Sequence, residues 1–364
     1  MTSTAIVPGK KLSTGRSSEQ LYATLRESVL SGQVAAGQFL PTERQLAESH
    51  GVAHTTVRRA LGKLKADGLI RAEPRKGYRV LSLANDPVQG CPVAYIRSDV
   101  QPSGSWDEFH RHLIGELQTV ADRRGWSLLT MGAGSFSPVE VVARLKSARA
   151  FSAILDTSDE ETIREVRASR LPVLMLDSWI DGCEIDSVMQ DGHQGGLLAA
   201  RLLVSRGCRR IAWFGPTDRN AHTMDRFGGV AAGLLGEGVE LPPECVFATT
   251  VERSLDDARR MLSRPERPEA VVALWSVHAL AVKRAADELG LVIGRDLQMV
   301  GWCPEEQYDR EYAAGFAGGP VAPAITWSIR AMAEAAVAVL AERRANPGLP
   351  PLRVRVPARL KLGK

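Results

Sequence analysis

His54, Thr55, Thr56, Arg58 and Arg59 open a short amphipathic stretch, "HTTVRRALGKLKA". Val57, Ala60, Leu61 and Leu64 fall on its apolar side, which leaves the hydroxyls and most of the cationic groups facing outward. Short polar side chains and arginine forks at a helix start can reach base edges and phosphates in the DNA major groove. The free N–H groups of a helix start also favour phosphate. A single such residue would more often belong to a solvated face, so the surroundings decide.

Those surroundings are basic. Residues 1–80 hold 13 Lys and Arg against 6 Asp and Glu, whereas the remainder holds 33 against 36. A basic head on a mildly acidic body points to a polyanionic partner for the head. The elements needed to position the recognition residues can also be read. Leu21, Leu25 and Val29 make one stripe of a helix from Ser17 or Ser18 to about Ser31, ended by Gly32. A second helix is expected from near Thr42 to Gly51, with Leu46 and Ala47 inward. The third starts at His54 or Thr55 and stops at Gly68. "LIRAEPRKGYRVL" then gives two short strands around a turn that presents Arg75, Lys76 and Gly77. The expected fold of residues 17–82 is an α+β winged helix-turn-helix that binds double-stranded operator DNA.

"LSLANDPVQGCP" mixes prolines, Gly, Asn and Asp, and residues 83–91 are taken as a linker. Beyond it, apolar runs at 93–96, 127–131, 152–156, 173–177, 210–215, 270–275 and 298–302 alternate with helical stretches. Ser137-Pro-Val-Glu140 and Ser158-Asp-Glu-Glu161 have the spacing of capping boxes. A long final helix is expected near Ala322 to Arg343, with Met332, Ala336, Val339 and Leu340 apolar and available for packing or dimer contact. The alternation predicts parallel sheets with helices on both faces, and residues 92–360 are enough for two α/β lobes. Ligands of such sheets lie beyond the carboxyl ends of the strands.

Asp99, Asp177, Trp275, Ser276, Trp302 and Cys303 fall at or beside those ends, and Asp191 and Arg226 in the segments that follow. Trp106 joins them in the candidate effector-binding set. Carboxylates and an arginine can hold paired hydroxyls, and indole faces can stack on a sugar ring. Packing of the tryptophans in the core and capping of helices by the acids is the competing use of the same residues. Trp126 and Trp213 read as core or strand-face residues.

Other functions fit poorly. The cysteines, Cys91, Cys183, Cys208, Cys245 and Cys303, are dispersed and predict neither a disulfide frame nor a metal site. His110 and His112 point to different faces of a helix. The N-terminal segment lacks the apolar core of a signal peptide, and no run approaches the ~18 apolar residues of a membrane span. The expectation is a cytoplasmic protein with no cofactor and no catalytic residues.

Two resemblances sharpen this reading. Leu40-Pro-Thr-Glu-Arg, Leu46-Ala, Gly51-Val, Thr56-Val-Arg-Arg-Ala-Leu and Asp67-Gly-Leu-Ile resemble the GntR-type DNA-binding domain. The resemblance implies DNA contacts from Arg44, Thr55, Thr56, Arg58 and residues 75–77. Ala53-His54 stands where Ser-Arg is common, with His54 still able to donate a hydrogen bond, so the operator sequence is expected to differ from the usual one. Asp191-Gly-His-Gln-Gly-Gly, Gly207 to Gly215, Arg226-Phe-Gly-Gly and the segment from Gly290 to Gly301 resemble the periplasmic-binding-protein-like effector domain of LacI/GalR-type repressors. The combination is similar to the arabinose-repressor subgroup. It implies a homodimeric regulator whose carbohydrate effector binds through Arg226, with a pocket-wall position at Trp327. Trp275-Ser276 and Cys303 stand where that family carries polar anchors. A non-sugar ligand, or a body serving only dimerisation, is therefore the second expectation. An enzyme of the pyridoxal-phosphate type would need a Schiff-base lysine, and residues 91–345 offer only Lys146 and Lys283.

Overall fold

A computed structural model describes residues 17–30, 34, 38–66, 69–73, 76–80, 91–99, 107–156, 158–180, 182–217 and 221–363. Arg75, Trp106, Gly32, Gly68 and linker residues 83–90 lie outside the described residues.

The N-terminal part consists of α1 (Ser17–Leu30), α2 (Glu43–His50), α3 (His54–Ala66), β1 (Ile70–Glu73) and β2 (Gly77–Val80). Thr42 caps α2 reciprocally with Gln45: the Gln45 N–H donates to Thr42 Oγ1 (3.3 Å), and the Thr42 N–H donates to Gln45 Oε1 (2.8 Å). Gly51 ends the helix in the left-handed conformation, φ 65°. The Gly51 stop places the turn between α2 and α3. Leu21, Leu25, Leu46, Val57, Ala60, Leu61 and Leu64 form the buried centre, with Ile70 and Val80 from the antiparallel strands closing it. The fold is a winged helix-turn-helix.

The remaining chain alternates strands and helices. Its elements are β3 (Cys91–Arg97), α4 (Glu108–Asp122), β4 (Trp126–Gly132), α5 (Pro138–Ser147), β5 (Ser152–Asp156), α6 (Glu160–Ala168), β6 (Val173–Leu176) and β7 (Asp186–Gln190). Then come α7 (Gly192–Ser205), β8 (Ile211–Gly215), α8 (Ala221–Gly236), β9 (Val246–Ala248), α9 (Ser254–Leu262), β10 (Ala270–Ala273) and α10 (Trp275–Glu288). The last are β11 (Gln298–Pro304), β12 (Ala324–Trp327), α11 (Ile329–Ala345), β13 (Arg353–Val356) and β14 (Arg359–Lys361). Two six-stranded sheets result, ordered β13-β7-β6-β5-β3-β4 and β14-β12-β11-β10-β8-β9. Apart from the antiparallel β12–β14 pair, the registered pairs of both sheets are parallel. The strand order reverses between β3 and β5 in one sheet and between β8 and β10 in the other, the places where open α/β sheets bind ligands.

By compactness the described chain divides into two units, residues 1–175 with 339–349 and residues 176–338 with 350–364. In the second unit, α7 and α8 pack backbone against backbone. A Cβ on Gly229 would lie 2.2 Å from the His193 carbonyl oxygen, and one on Gly196 would lie 2.5 Å from Val230 N. Gly195 clears the Trp302 indole in the same way, with only 2.6 Å available to a Cβ. The Gly-rich segments after Asp191 and Arg226 are thus a helix–helix contact surface.

Several local expectations are corrected. The 270–275 run leaves the sheet at Ala273, and Trp275 begins α10. Asp159, not Ser158, caps α6, accepting from the Thr162 N–H at 2.7 Å. The expected final helix begins only at Ile329, because residues 324–327 form strand β12. Met332, Ala336, Val339 and Leu340 are buried within the chain, so they serve packing. Cys183, Cys208, Cys245 and Cys303 are buried free thiols. No described helix is long and apolar enough to cross a membrane.

The α7–α8 contact makes a direct prediction. Gly229→Ala should lower the thermal unfolding midpoint, at a cost of about 1–3 kcal/mol from overpacking. Gly228→Ala, where a Cβ meets nothing within 4 Å, should not. Equal midpoints for the two variants would contradict the contact.

Candidate functional site

On the N-terminal domain, His54, Thr55, Arg58 and Arg59 are exposed along the first turns of α3, with Thr56 half-buried. No side chain caps this helix among the described residues: its first turn closes on the Ala53 carbonyl, which accepts from the N–H groups of Thr56 (2.9 Å) and Val57 (3.2 Å). Arg44 is exposed on α2, where its guanidinium lies 3.7 Å from Glu48. At the wing, Lys76 N donates to Glu73 O (3.1 Å), and Gly77 takes φ 106°, which a side chain would resist. Glu43 joins these parts. It accepts from Arg58 Nε at 2.9 Å and from the Tyr78 hydroxyl at 3.4 Å, linking α2, α3 and β2. The hydrogen bond and charge of Glu43 hold the Arg58 pKa above its ordinary value. Only Arg44 of the Glu43-Arg44 pair was recognised from the sequence; the acid beside it sets the aim of Arg58.

In the first unit, a polar network occupies the point where β3 and β5 diverge. Arg97 and Asp156 are register partners at the ends of these strands. Tyr95 donates its hydroxyl to Asp156, and Arg97 pairs with Asp99, its Nε lying 2.8 Å from that carboxylate. His110 on α4 stands between two acids, Nδ1 2.6 Å from Asp107 and Nε2 3.5 Å from Asp156. Burial opposes protonation of His110, but hydrogen bonds to Asp107 and Asp156 prevail and raise its pKa. Burial likewise opposes the charge of Asp107, yet the His110 contacts hold its pKa at about 2. Asp99 is therefore a partner of Arg97, and His110 is a member of the site that spacing rules for metals could not reveal.

In the second unit the centre is Arg226 on α8, 2% exposed. Its guanidinium carbon lies 5.2 Å from the Trp302 ring centroid and 5.6 Å from that of Trp327. Its Nε and Nη1 have no hydrogen-bond partner among the described residues, and neither has Trp327 Nε1. Burial lowers the Arg226 pKa to about 10, against the pull of Asp177 and Asp225. Those acids are engaged elsewhere. Asp177 accepts from Gln190 Nε2 at 3.1 and 3.2 Å, and Gln190 Oε1 accepts from Trp302 Nε1 at 3.0 Å. Asp225 accepts from Arg355 Nη1 at 2.8 Å and from the His193 N–H at 2.9 Å.

The other sequence candidates sort by position. Asp191 caps α7 through the Gln194 N–H (3.1 Å) and lies 3.5 Å from Arg355, so it serves the helix start. Trp275 begins α10 at φ 62°, and Asp177 follows β6 at φ 51°; both are strained positions for side chains of this kind. Trp275 stacks on His278 (5.6 Å, 20° between planes), with Ser276 half-buried beside it. His222 reaches the Asp177 carbonyl at 3.3 Å. Cys303 does not join this group. It is packed in the hydrophobic core with Tyr308, Tyr312 and Phe316, and burial pushes its thiol pKa up to about 12. Alternation along β11 explains this: Trp302 and Cys303 face opposite sides of the sheet. Trp213 is fully buried.

Comparison with known proteins agrees with this architecture. The family of bacterial regulatory proteins called gntR matches residues 17–80, and the periplasmic binding protein-like domain matches residues 200–364. The arabinose metabolism transcriptional repressor of Geobacillus stearothermophilus is 23% identical over 315 residues, covering 78% of this chain and 80% of its own. The structure of the transcriptional regulator CelR in complex with cellobiose has a TM-score of 0.64 at 16% identity, covering 97% of this chain and 99% of its own. A LacI family transcriptional regulator from Enterococcus faecium with bound ribose gives 0.61 at 18% identity, covering 75% and 98%. The chain joins a gntR-type helix-turn-helix domain to a two-sheet, periplasmic-binding-protein-like body.

The His110 network predicts a pH effect of defined sign. A pKa raised on folding contributes stability below the unfolded value of about 6.5, and that contribution fades as pH rises through the folded pKa. The midpoint difference between wild type and His110→Gln should be larger at pH 6 than at pH 8.5. An imidazole that titrates below 6.5 by NMR would overturn the assignment.

Proposed function

We propose that the chain is a ligand-responsive DNA-binding transcription regulator, a repressor of carbohydrate-metabolism genes. Residues 17–82 bind operator DNA, residues 83–91 link, and residues 92–360 bind the effector and form a homodimer. The observation that carries this reading is the presence, in one chain, of an exposed cationic α3 and a buried guanidinium with unfilled donors. The first is suited to DNA, the second to a small ligand. A body serving only dimerisation would have no use for a buried arginine whose Nε and Nη1 lack hydrogen-bond partners among the described residues, since that arrangement costs stability.

On the DNA side, His54, Thr55, Thr56, Arg58 and Arg59 enter the major groove. Arg44 takes a phosphate, and Arg75, Lys76 and Gly77 approach the neighbouring groove. A symmetric dimer then reads a pseudo-palindrome. On the ligand side, Arg226, Trp302, Trp327 and Asp177 form the cradle, with Gln190 holding Trp302 and Asp177 in place. Relatives that bind ribose or cellobiose, and one that represses arabinose metabolism, support a carbohydrate-related effector. Effector binding changes operator affinity through its unequal affinity for two states of the body. The protein acts in the cytoplasm as a regulator and not as an enzyme.

Selection of random duplexes by the full-length protein tests this function. One recurring motif should be enriched, and its affinity should fall steeply with salt. Arg58→Ala should weaken binding, and more for the selected motif than for its scrambled version, as expected of a side chain in the major groove. Glu43→Gln should narrow the affinity gap between the selected motif and its scrambled version, because Arg58 loses its positioning partner. Equal affinity of the wild type for motif and scramble would refute the reading.

A further inference from the structure

We infer that the ligand of the second unit is a small organic oxoanion, a carboxylate or a phosphate ester, received by Arg226. The inference rests on the reading of the Arg226 cradle as the effector site and assigns the chemistry of its occupant.

Among the described residues around Arg226, the buried polar atoms without a partner include Arg226 Nε, Arg226 Nη1 and Trp327 Nε1. All three are N–H donors and none can accept. The acceptors nearby are already engaged, Asp225 by Arg355 and the His193 N–H, and Asp177 by Gln190. The Trp302 indole N–H is likewise satisfied by Gln190. An occupant must therefore bring acceptors, and an oxoanion brings several without adding a donor that needs a home.

Charge leads to the same occupant. No carboxylate forms an ion pair with Arg226 among the described residues, and its two ring neighbours are uncharged indoles. Asp177 and Asp225 act on the guanidinium only through their field, with their oxygens held by Gln190, Arg355 and the His193 N–H, so a directly bound oxoanion still gains charge-assisted hydrogen bonds that neither acid makes. A neutral sugar would supply only weaker acceptors, and each hydroxyl would need an acceptor in return. Of the positions where such acceptors could have stood, Cys303 is turned into the core and Trp275 presents a ring stacked on His278, which leaves the single hydroxyl of Ser276.

The test uses the full-length protein and matched probes, followed by thermal unfolding and calorimetric titration. The pairs are galactose against galacturonate, glucose against gluconate, and glucose against glucose 6-phosphate. At least one acid or phosphate ester should bind about tenfold or more tightly than its neutral counterpart, as expected for hydrogen bonds to a charged group. The carboxylate and phosphate arms then identify which oxoanion is meant. Arg226→Gln should abolish that preference, and Arg226→Lys should retain part of it. Trp327→Phe, which removes one neutral donor, should weaken the preferred probe by about two- to tenfold. If Arg226→Gln does not fold, Arg226→Lys and Trp327→Phe carry the test. A neutral sugar that binds as tightly as its acid, and loses binding in Arg226→Gln, overturns the oxoanion and leaves the effector site standing. Probe binding unchanged in every Arg226 variant overturns the site itself. Failure of every oxoanion in the panel to bind overturns the inference.

Discussion

A guanidinium with 2% exposure, two indole neighbours and no ion-pair partner among the described residues is an expensive object, and much of the second unit is arranged to keep it there. The arginine is carried on α8, and α8 is held against α7 by a contact so close that Gly196 and Gly229 must lack side chains. Gly195 gives the Trp302 indole its place, and Gln190 fixes that indole by hydrogen bonding it and reaching on to Asp177. Asp225 is drawn toward Arg355, so it contributes field to Arg226 without filling its donors. Glycine packing, two tryptophans and a diverted carboxylate together leave Nε and Nη1 of this cation without hydrogen-bond partners among the described residues.

The N-terminal domain follows a different logic. The residues proposed to meet DNA are mostly exposed among the described residues, and their placement depends on the Gly51 stop and on Glu43. The reciprocal Thr42–Gln45 cap sets where α2 starts, and the left-handed Gly51 ends it three residues before α3. Glu43 then touches both Arg58 and Tyr78, so the recognition helix and the wing are aimed by one carboxylate. Exposed ion pairs of this kind add little to stability; the value of this one is geometric.

How much was legible in the sequence follows from the range of the interactions. Leu21, Leu25 and Val29, the glycine stop at Gly51 and the Val57 to Leu64 stripe are local signals, and the winged helix-turn-helix was readable from them. Fully apolar strands such as Ala270–Ala273 were readable for the same reason. β7 was not, because its buried Asp186, Ser187 and Gln190 resemble a loop; Asp186 is satisfied by the Leu352 N–H (2.8 Å), 166 positions away. β12 was absorbed into the final helix because Ala324 to Trp327 continues an apolar run. At the ligand cradle, Arg226, Trp302 and Trp327 could be named from the sequence. The side of β11 that Cys303 faces depends on a one-residue register that pattern alone left open. The roles of Glu43, His110 and Gln190 depend on Arg58, Asp156 and Trp302, the first 15 and the last 112 positions away, which no short window contains.

The most direct test of the account couples its two halves in one titration. Operator duplex obtained by selection is titrated with full-length protein by fluorescence anisotropy, without and with a saturating ligand identified by thermal stabilisation. The account predicts that ligand shifts the operator midpoint by about 5- to 150-fold, the usual range of allosteric coupling, and that Arg226→Ala removes the shift. An operator midpoint that stays the same with the wild-type protein saturated by its ligand would contradict it.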